Sequence, residues 1–129
     1  MADDYALTNK KPTLVVAYTS FFCGVNLDGS ERIAQEVLDL ATFFHDKGYY
    51  ILVDCPANIT SCYDALSYWD IPFSGLTCKS EFVPYCEDCD DYLARVESHI
   101  GWPSVVAVID EDIVRLNAAK SKGVSCIHI

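Results

Sequence analysis

Apolar residues along this chain gather in runs whose period changes from place to place. Thr13 to Tyr18 is a continuous β-branched and apolar run after Pro12, the pattern of a strand buried on both faces, and it is expected at the centre of a sheet. Thr19 to Leu27 reads as a loop of high apolar content that packs back on the domain or caps the end of that strand. Asp28-Gly29-Ser30-Glu31 has capping-box spacing and predicts a helix start. Ile33, Val37, Leu40, Ala41 and Phe44 then recur at helical intervals up to Gly48, with His45 and Lys47 in the last turn, where positive charge suits the helix dipole. Tyr49 to Val53 is a second strand, stopped at Asp54-Cys55-Pro56.

Beyond it, Thr60 or Ser61 caps a short predicted helix through Trp69, with Ala65, Leu66 and Trp69 facing inward. Ile71-Pro72-Phe73 and Leu76 leave room for a brief third strand. Glu87 to Ile100 reads as a helix burying Leu93, Val96 and Ile100, closed by Gly101, with His99 at its end. Val105 to Ile109 is a buried strand that runs into the acidic turn Asp110-Glu111-Asp112, then a short amphipathic helix ending at Gly123, then a last apolar strand.

Strands alternating with helices in this way imply a parallel sheet with right-handed crossovers. The expected fold is α/β: a single-domain, three-layer, Rossmann-like parallel sheet of about five strands with helices on both faces. Residues 1-11 are expected to form a flexible N-terminal arm and residues 12-129 the domain. The apolar content of 51% over 129 residues is enough for a core and argues against disorder.

Charge narrows the partners. Nineteen acids against nine Lys plus Arg give a formal charge of -10, which repels nucleic acid phosphates and anionic lipid. Direct nucleic acid binding is not expected; a protein partner with a basic surface, a small-molecule ligand or a divalent cation is. No apolar run reaches the length of a membrane span and no leader pattern opens the chain, so membrane attachment is not expected either. Seven cysteines, an odd number, fit a cytoplasmic protein with reduced thiols.

The candidate chemistry lies at strand ends. Asp110-Glu111 closes the fourth strand and is followed by Leu116, Ala118-Ala119 and Gly123; His45-Asp46-Lys47-Gly48 leads into an apolar strand; Ile71 to Leu76 precedes Lys79. Together these resemble the ordered motifs of the haloacid dehalogenase-like (HAD) phosphatase superfamily over about residues 12 to 129. The resemblance implies Mg²⁺ at Asp110 and Glu111, since a hard cation needs only one or two carboxylates beside its waters, and it makes Lys79 the phosphate-neutralising lysine.

The same resemblance requires an attacking Asp at the end of the first strand and an acid/base Asp two residues on. Ala17 and Thr19 stand at those positions, and Asp54 stands where the second motif offers a phosphate-binding hydroxyl. Asn26-Leu27-Asp28-Gly29-Ser30 does not rescue the motif, because no apolar strand precedes it directly and Asn26 would replace the nucleophile.

Cys86 and Cys89, with Cys78 nearby, have the spacing of half a zinc site, but no second close pair completes it, and zinc is not expected. The chain is therefore expected to be a catalytically inactive HAD-like domain, a binding or regulatory module with no required cofactor and at most a weak Mg²⁺ site. The alternatives are a divergent Mg²⁺-dependent phosphohydrolase acting on a small phosphomonoester or nucleotide, and a flavodoxin- or receiver-like regulatory domain, which would show strand order 2-1-3-4-5.

Overall fold

A computed structural model describes residues 11–56, 58–78 and 89–129, with Cys89 and Asp90 described by their backbone alone. Strand β1, Thr13–Ala17, is buried at every position, as its unbroken apolar run requires. A single 3-10 turn, Tyr18–Phe21, follows. A two-stranded antiparallel hairpin, β2 (Phe22–Val25) and β3 (Glu31–Ile33), leads into helix α1, Gln35–Asp46.

The hairpin corrects the expected helix start. Asp28 Oδ1 accepts the Ser30 N–H at 3.0 Å and the Ser30 hydroxyl at 2.6 Å, and Asn26 N–H donates to the Ser30 carbonyl at 2.7 Å. The short carboxylate thus closes a tight turn through a bond of the same kind that caps a helix. Helix α1 begins after Ala34, which makes no side-chain cap. It ends as expected: Gly48 has φ +90°, a conformation in which a Cβ is strained.

Strand β4, Tyr50–Cys55, is followed by helix α2, Ile59–Tyr68. The cap is Asn58 rather than Thr60 or Ser61; at φ 45° its side chain accepts the Ser61 N–H at 3.1 Å, and Asn tolerates that left-handed backbone better than most residues. The inward face of α2 is Cys62 and Leu66, with Ala65 and Trp69 half-buried. The brief third strand lies at β5, Gly75–Cys78, later than Ile71-Pro72-Phe73. Helix α3, Cys89–His99, strand β6, Val105–Asp110, helix α4, Ile113–Lys120, and strand β7, Ser125–His128, complete the described order. The N-terminal arm before Lys11, Lys79, Cys86 and the side chain of Cys89 lie outside the described residues.

The five long-range strands pair in parallel in the order β5-β4-β1-β6-β7, with β1 central. Numbering only those five gives 3-2-1-4-5, which differs from the 2-1-3-4-5 of a flavodoxin-like sheet. Alternate residues separate two cores. Leu14, Val16, Ile51, Val53 and Ile109 meet Val37 and Ala41 of α1 and Cys62 and Leu66 of α2. Val15, Leu52 and Val108 meet Tyr92 and Val96 of α3 and Leu116 and Ala119 of α4. The chain is a three-layer α/β domain.

Candidate functional site

The parallel strands end together along one edge of the sheet, and that edge collects the chemistry. Ala17, the last residue of β1, is paired in register with Asp54 of β4, and Asp110 closes β6 on the other side of β1. Ala17, Thr19, Asp54, Asp110 and Glu111 therefore converge, as the sequence implied. Lys79 falls outside the described residues.

What the sequence did not disclose is the pair of arginines that hold these acids. Asp110 is 1% exposed, and Arg115, on the first turns of α4, is 6% exposed. Arg115 Nε donates to Asp110 Oδ2 at 2.8 Å and a terminal nitrogen donates to Oδ1 at 3.0 Å, a two-pronged grip that the planar guanidinium favours. Oδ1 also accepts the Asp112 N–H at 2.8 Å. The same guanidinium lies 3.7 Å from Glu111 and 3.5 Å from Asp112, whose side chain caps α4 through the Val114 N–H.

Asp54 is held in parallel fashion from the other flank. Arg95 of α3 donates to Asp54 Oδ1 at 2.8 Å, the Thr77 hydroxyl donates to the same oxygen at 2.9 Å, and Arg95 also pairs with Asp91 one turn earlier. Burial pushes the Asp54 carboxyl up, against the lowering pull of Arg95 and Thr77. Between these two clasps the space bounded by Ala17, Thr19, Asp54, Pro56 and Arg115 has a volume of about 10 Å³. That is about the space needed for one water molecule.

Glu111 faces a different space. Its two carboxylate oxygens accept the hydroxyls of Thr19 and Ser20, residues of the turn after β1. Burial works to raise this carboxyl, but the two hydroxyls, its own backbone N–H and Arg115 outweigh it and hold it below the ordinary carboxylate range. Beside it opens a cleft of about 410 Å³ lined by Thr19, Ser20, Phe22, Cys23, Ala34, Glu111 and Ile129. Backbone bonds fix its walls: Ala34 N–H donates to the Phe21 carbonyl at 2.7 Å, and Ile129 N–H donates to the Asp110 carbonyl at 3.2 Å.

His45 is an exposed residue of the last turn of α1, 4.0 Å from Asp46. His99, at the end of α3, is 2.9 Å from the Tyr50 hydroxyl, and burial lowers its pKa. Cys78 is paired in register with Cys55 on β4. Burial pushes the Cys55 thiol far up, so it stays protonated and packs as a small hydrophobe. Among the described residues no cluster of His, Cys, Asp and Glu has the arrangement to hold a metal ion.

One signal for Arg115 was present in the sequence. It stands four residues after Glu111 and three after Asp112, spacings that bring side chains together on a helix. Arg95 likewise follows Asp91 by four, but its reach to Asp54 spans 41 residues and follows only from the packing of α3 on the sheet.

No protein-family model and no curated protein sequence matches the chain. Solved structures do. One chain of the Pnkp1/Rnl/Hen1 complex superposes with TM-score 0.72 at 11% identity, covering 92% of this chain and 46% of that one. A chain in a structure of the Pnkp1/Rnl/Hen1 RNA repair complex superposes with TM-score 0.69 at 11% identity, covering 93% and 43%. An uncharacterized protein from Corynebacterium glutamicum ATCC 13032 superposes with TM-score 0.62 at 12% identity, covering 92% and 85%. These likenesses are of fold, and the chain spans less than half of each matching chain in the multi-protein complexes. Among the described residues no helix is long and apolar enough to cross a membrane.

Proposed function

We propose that this chain is a HAD-like domain without phosphatase chemistry, a cytoplasmic module that binds a protein partner or a small ligand. The observation that carries the reading is the Arg115–Asp110 clasp beside Ala17. A methyl group occupies the end of the central strand, where an aspartyl nucleophile would attack phosphorus, and a methyl group has no lone pair to offer. Strand order 3-2-1-4-5, with the first strand central and the fourth beside it, supports the HAD-like frame.

Magnesium does not suit the residues that remain. Both Asp110 oxygens already accept N–H groups, three in all from Arg115 and the Asp112 backbone. A hard cation there would have to displace a buried guanidinium of the same charge sign. Arg115 thus does the neutralising that a divalent ion would do, and Thr19, in the acid/base position, is spent on Glu111.

An acidic surface of formal charge -10 favours a partner with a basic face. The presence of this fold within longer chains of a multi-protein RNA repair complex is in keeping with such a role. The deciding experiment is turnover: the purified chain is assayed with Mg²⁺ and Mn²⁺ on phosphomonoesters and nucleotides, alongside Asp110→Asn. No turnover above the variant's is expected. Robust turnover abolished by Asp110→Asn would make the chain a divergent phosphohydrolase instead.

A further inference from the structure

We propose that the cleft beside Glu111 binds an organic amine: a protonated nitrogen paired with the Glu111 carboxylate, carrying an apolar body that lies between Phe22, Ala34 and Ile129. The inference rests on the reading of the domain as a binding module and names the ligand class.

Three observations carry it. The cleft, at about 410 Å³, falls within the ~300–1,000 Å³ of small-molecule pockets, and its lining joins the apolar Phe22, Ala34 and Ile129 and the Cys23 thiol to the polar Thr19, Ser20 and Glu111. The polar side is an ionised carboxylate rather than a neutral group: the Thr19 and Ser20 hydroxyls and Arg115 keep Glu111 charged, and the two hydroxyls fix its direction. Among the described residues, the Arg115 guanidinium lies within 4 Å of three carboxylates, Asp110, Glu111 and Asp112. Its closest bonds go to Asp110, and Glu111 lies farther off at 3.7 Å. An anion would be repelled by the carboxylate, and a neutral apolar molecule would strip water from it without supplying a counter-charge. An ammonium on an apolar stem satisfies both halves of the cleft.

The test is a titration of the ¹⁵N-labelled full chain with phenethylamine, with 2-phenylethanol and phenylacetate as neutral and anionic counterparts. Amide shifts are expected at Thr19, Ser20, Phe22, Ala34, Glu111 and Ile129 for the amine, with affinity about tenfold or more above the alcohol and no saturable response to the acid. Glu111→Gln keeps the side chain's shape and one acceptor oxygen while removing the charge, one hydroxyl turning to accept from the new amide, and is expected to erase the preference for amine over alcohol with the fold unchanged. Equal affinity for amine and alcohol, shifts elsewhere on the domain, no shifts at millimolar amine, or a preference that survives Glu111→Gln would each overturn the proposal. Failure here leaves the non-catalytic reading in place, since that one is decided by turnover.

Discussion

Replacing Arg115 by Met puts the largest strain on the edge of the sheet. The substitution keeps the length of the side chain and removes the guanidinium, leaving Asp110 charged at 1% exposure without its two strongest donors. Breaking one side of a buried ion pair costs about 3–5 kcal/mol, because the remaining charge has no solvent to return to. At about 2.1 cal/mol/K of unfolding entropy per residue, a domain of this length loses about 11 °C in melting temperature for the lower figure. Asp110→Asn in the same chain removes the stranded charge and should recover most of the loss, to within about 1 kcal/mol of the wild type.

The same variant also asks what the guanidinium replaces. With Arg115 gone, Asp110, Glu111 and Asp112 face one another without a cation, so 10 mM Mg²⁺ should stabilise Arg115→Met. For a dissociation constant of about 1 mM the gain is about 1.4 kcal/mol, or about 5 °C, with no gain for the wild type. Scanning calorimetry with and without Mg²⁺ reads both effects. A loss below about 1 kcal/mol in the variant, or an equal Mg²⁺ response in the wild type, would refute the role given to Arg115.

Three further outcomes are expected. Leu66→Ala empties a fully buried position under α2 and should cost about 2–5 kcal/mol by urea unfolding; a cost below 1 would mean that the core there relaxes to fill the gap. At Gly75 an added Cβ would overlap the Tyr50 hydroxyl oxygen and stand 2.7 Å from His99 Nε2, so Gly75→Ala should cost about 1–3 kcal/mol and part that pair. Burial now lowers the His99 pKa, and NMR titration should show it rising toward 6.5 in the variant; an unchanged value would disprove the displacement. Glu111 is held below its ordinary 4.5, so its stabilising contribution is complete above that pH and is lost as pH falls through the lower folded value. The melting-temperature gap between wild type and Glu111→Gln should therefore close as pH falls below 4.5, and a constant gap would show that no such shift exists.

Strands β1, β4 and β6 were legible because strands that bury most positions on both faces read as near-continuous apolar runs, and Gly48 was legible because few other residues accept its backbone angle. The hairpin was not. Asp28 bonding to the backbone of Ser30 uses the same short carboxylate that begins a helix, and local sequence does not distinguish the two uses. At the site, the acids at the strand ends announced themselves through position alone. Their partners did not, because Arg95 reaches Asp54 from a helix 41 residues later that packs on the same face of the sheet, a relation created by the layers and not by any local pattern. Ala17 at the end of the first strand was readable from sequence; the two-pronged hold of Arg115 on Asp110 needed three dimensions.

The central position of β1 has a consequence for the chain during its own synthesis. One edge of β1 is matched to β4, made within the first half of the chain, but its other edge waits for β6, beginning at Val105. Once β5 has been completed at Cys78, an unfinished three-stranded half-sheet would hold an apolar, unpaired edge until those residues arrive. At about 5–20 residues per second that interval is of the order of one to five seconds. This is long against the microsecond-to-millisecond scale of local folding, and it is the window in which a nascent chain with this strand order is most open to wrong pairing or to a chaperone.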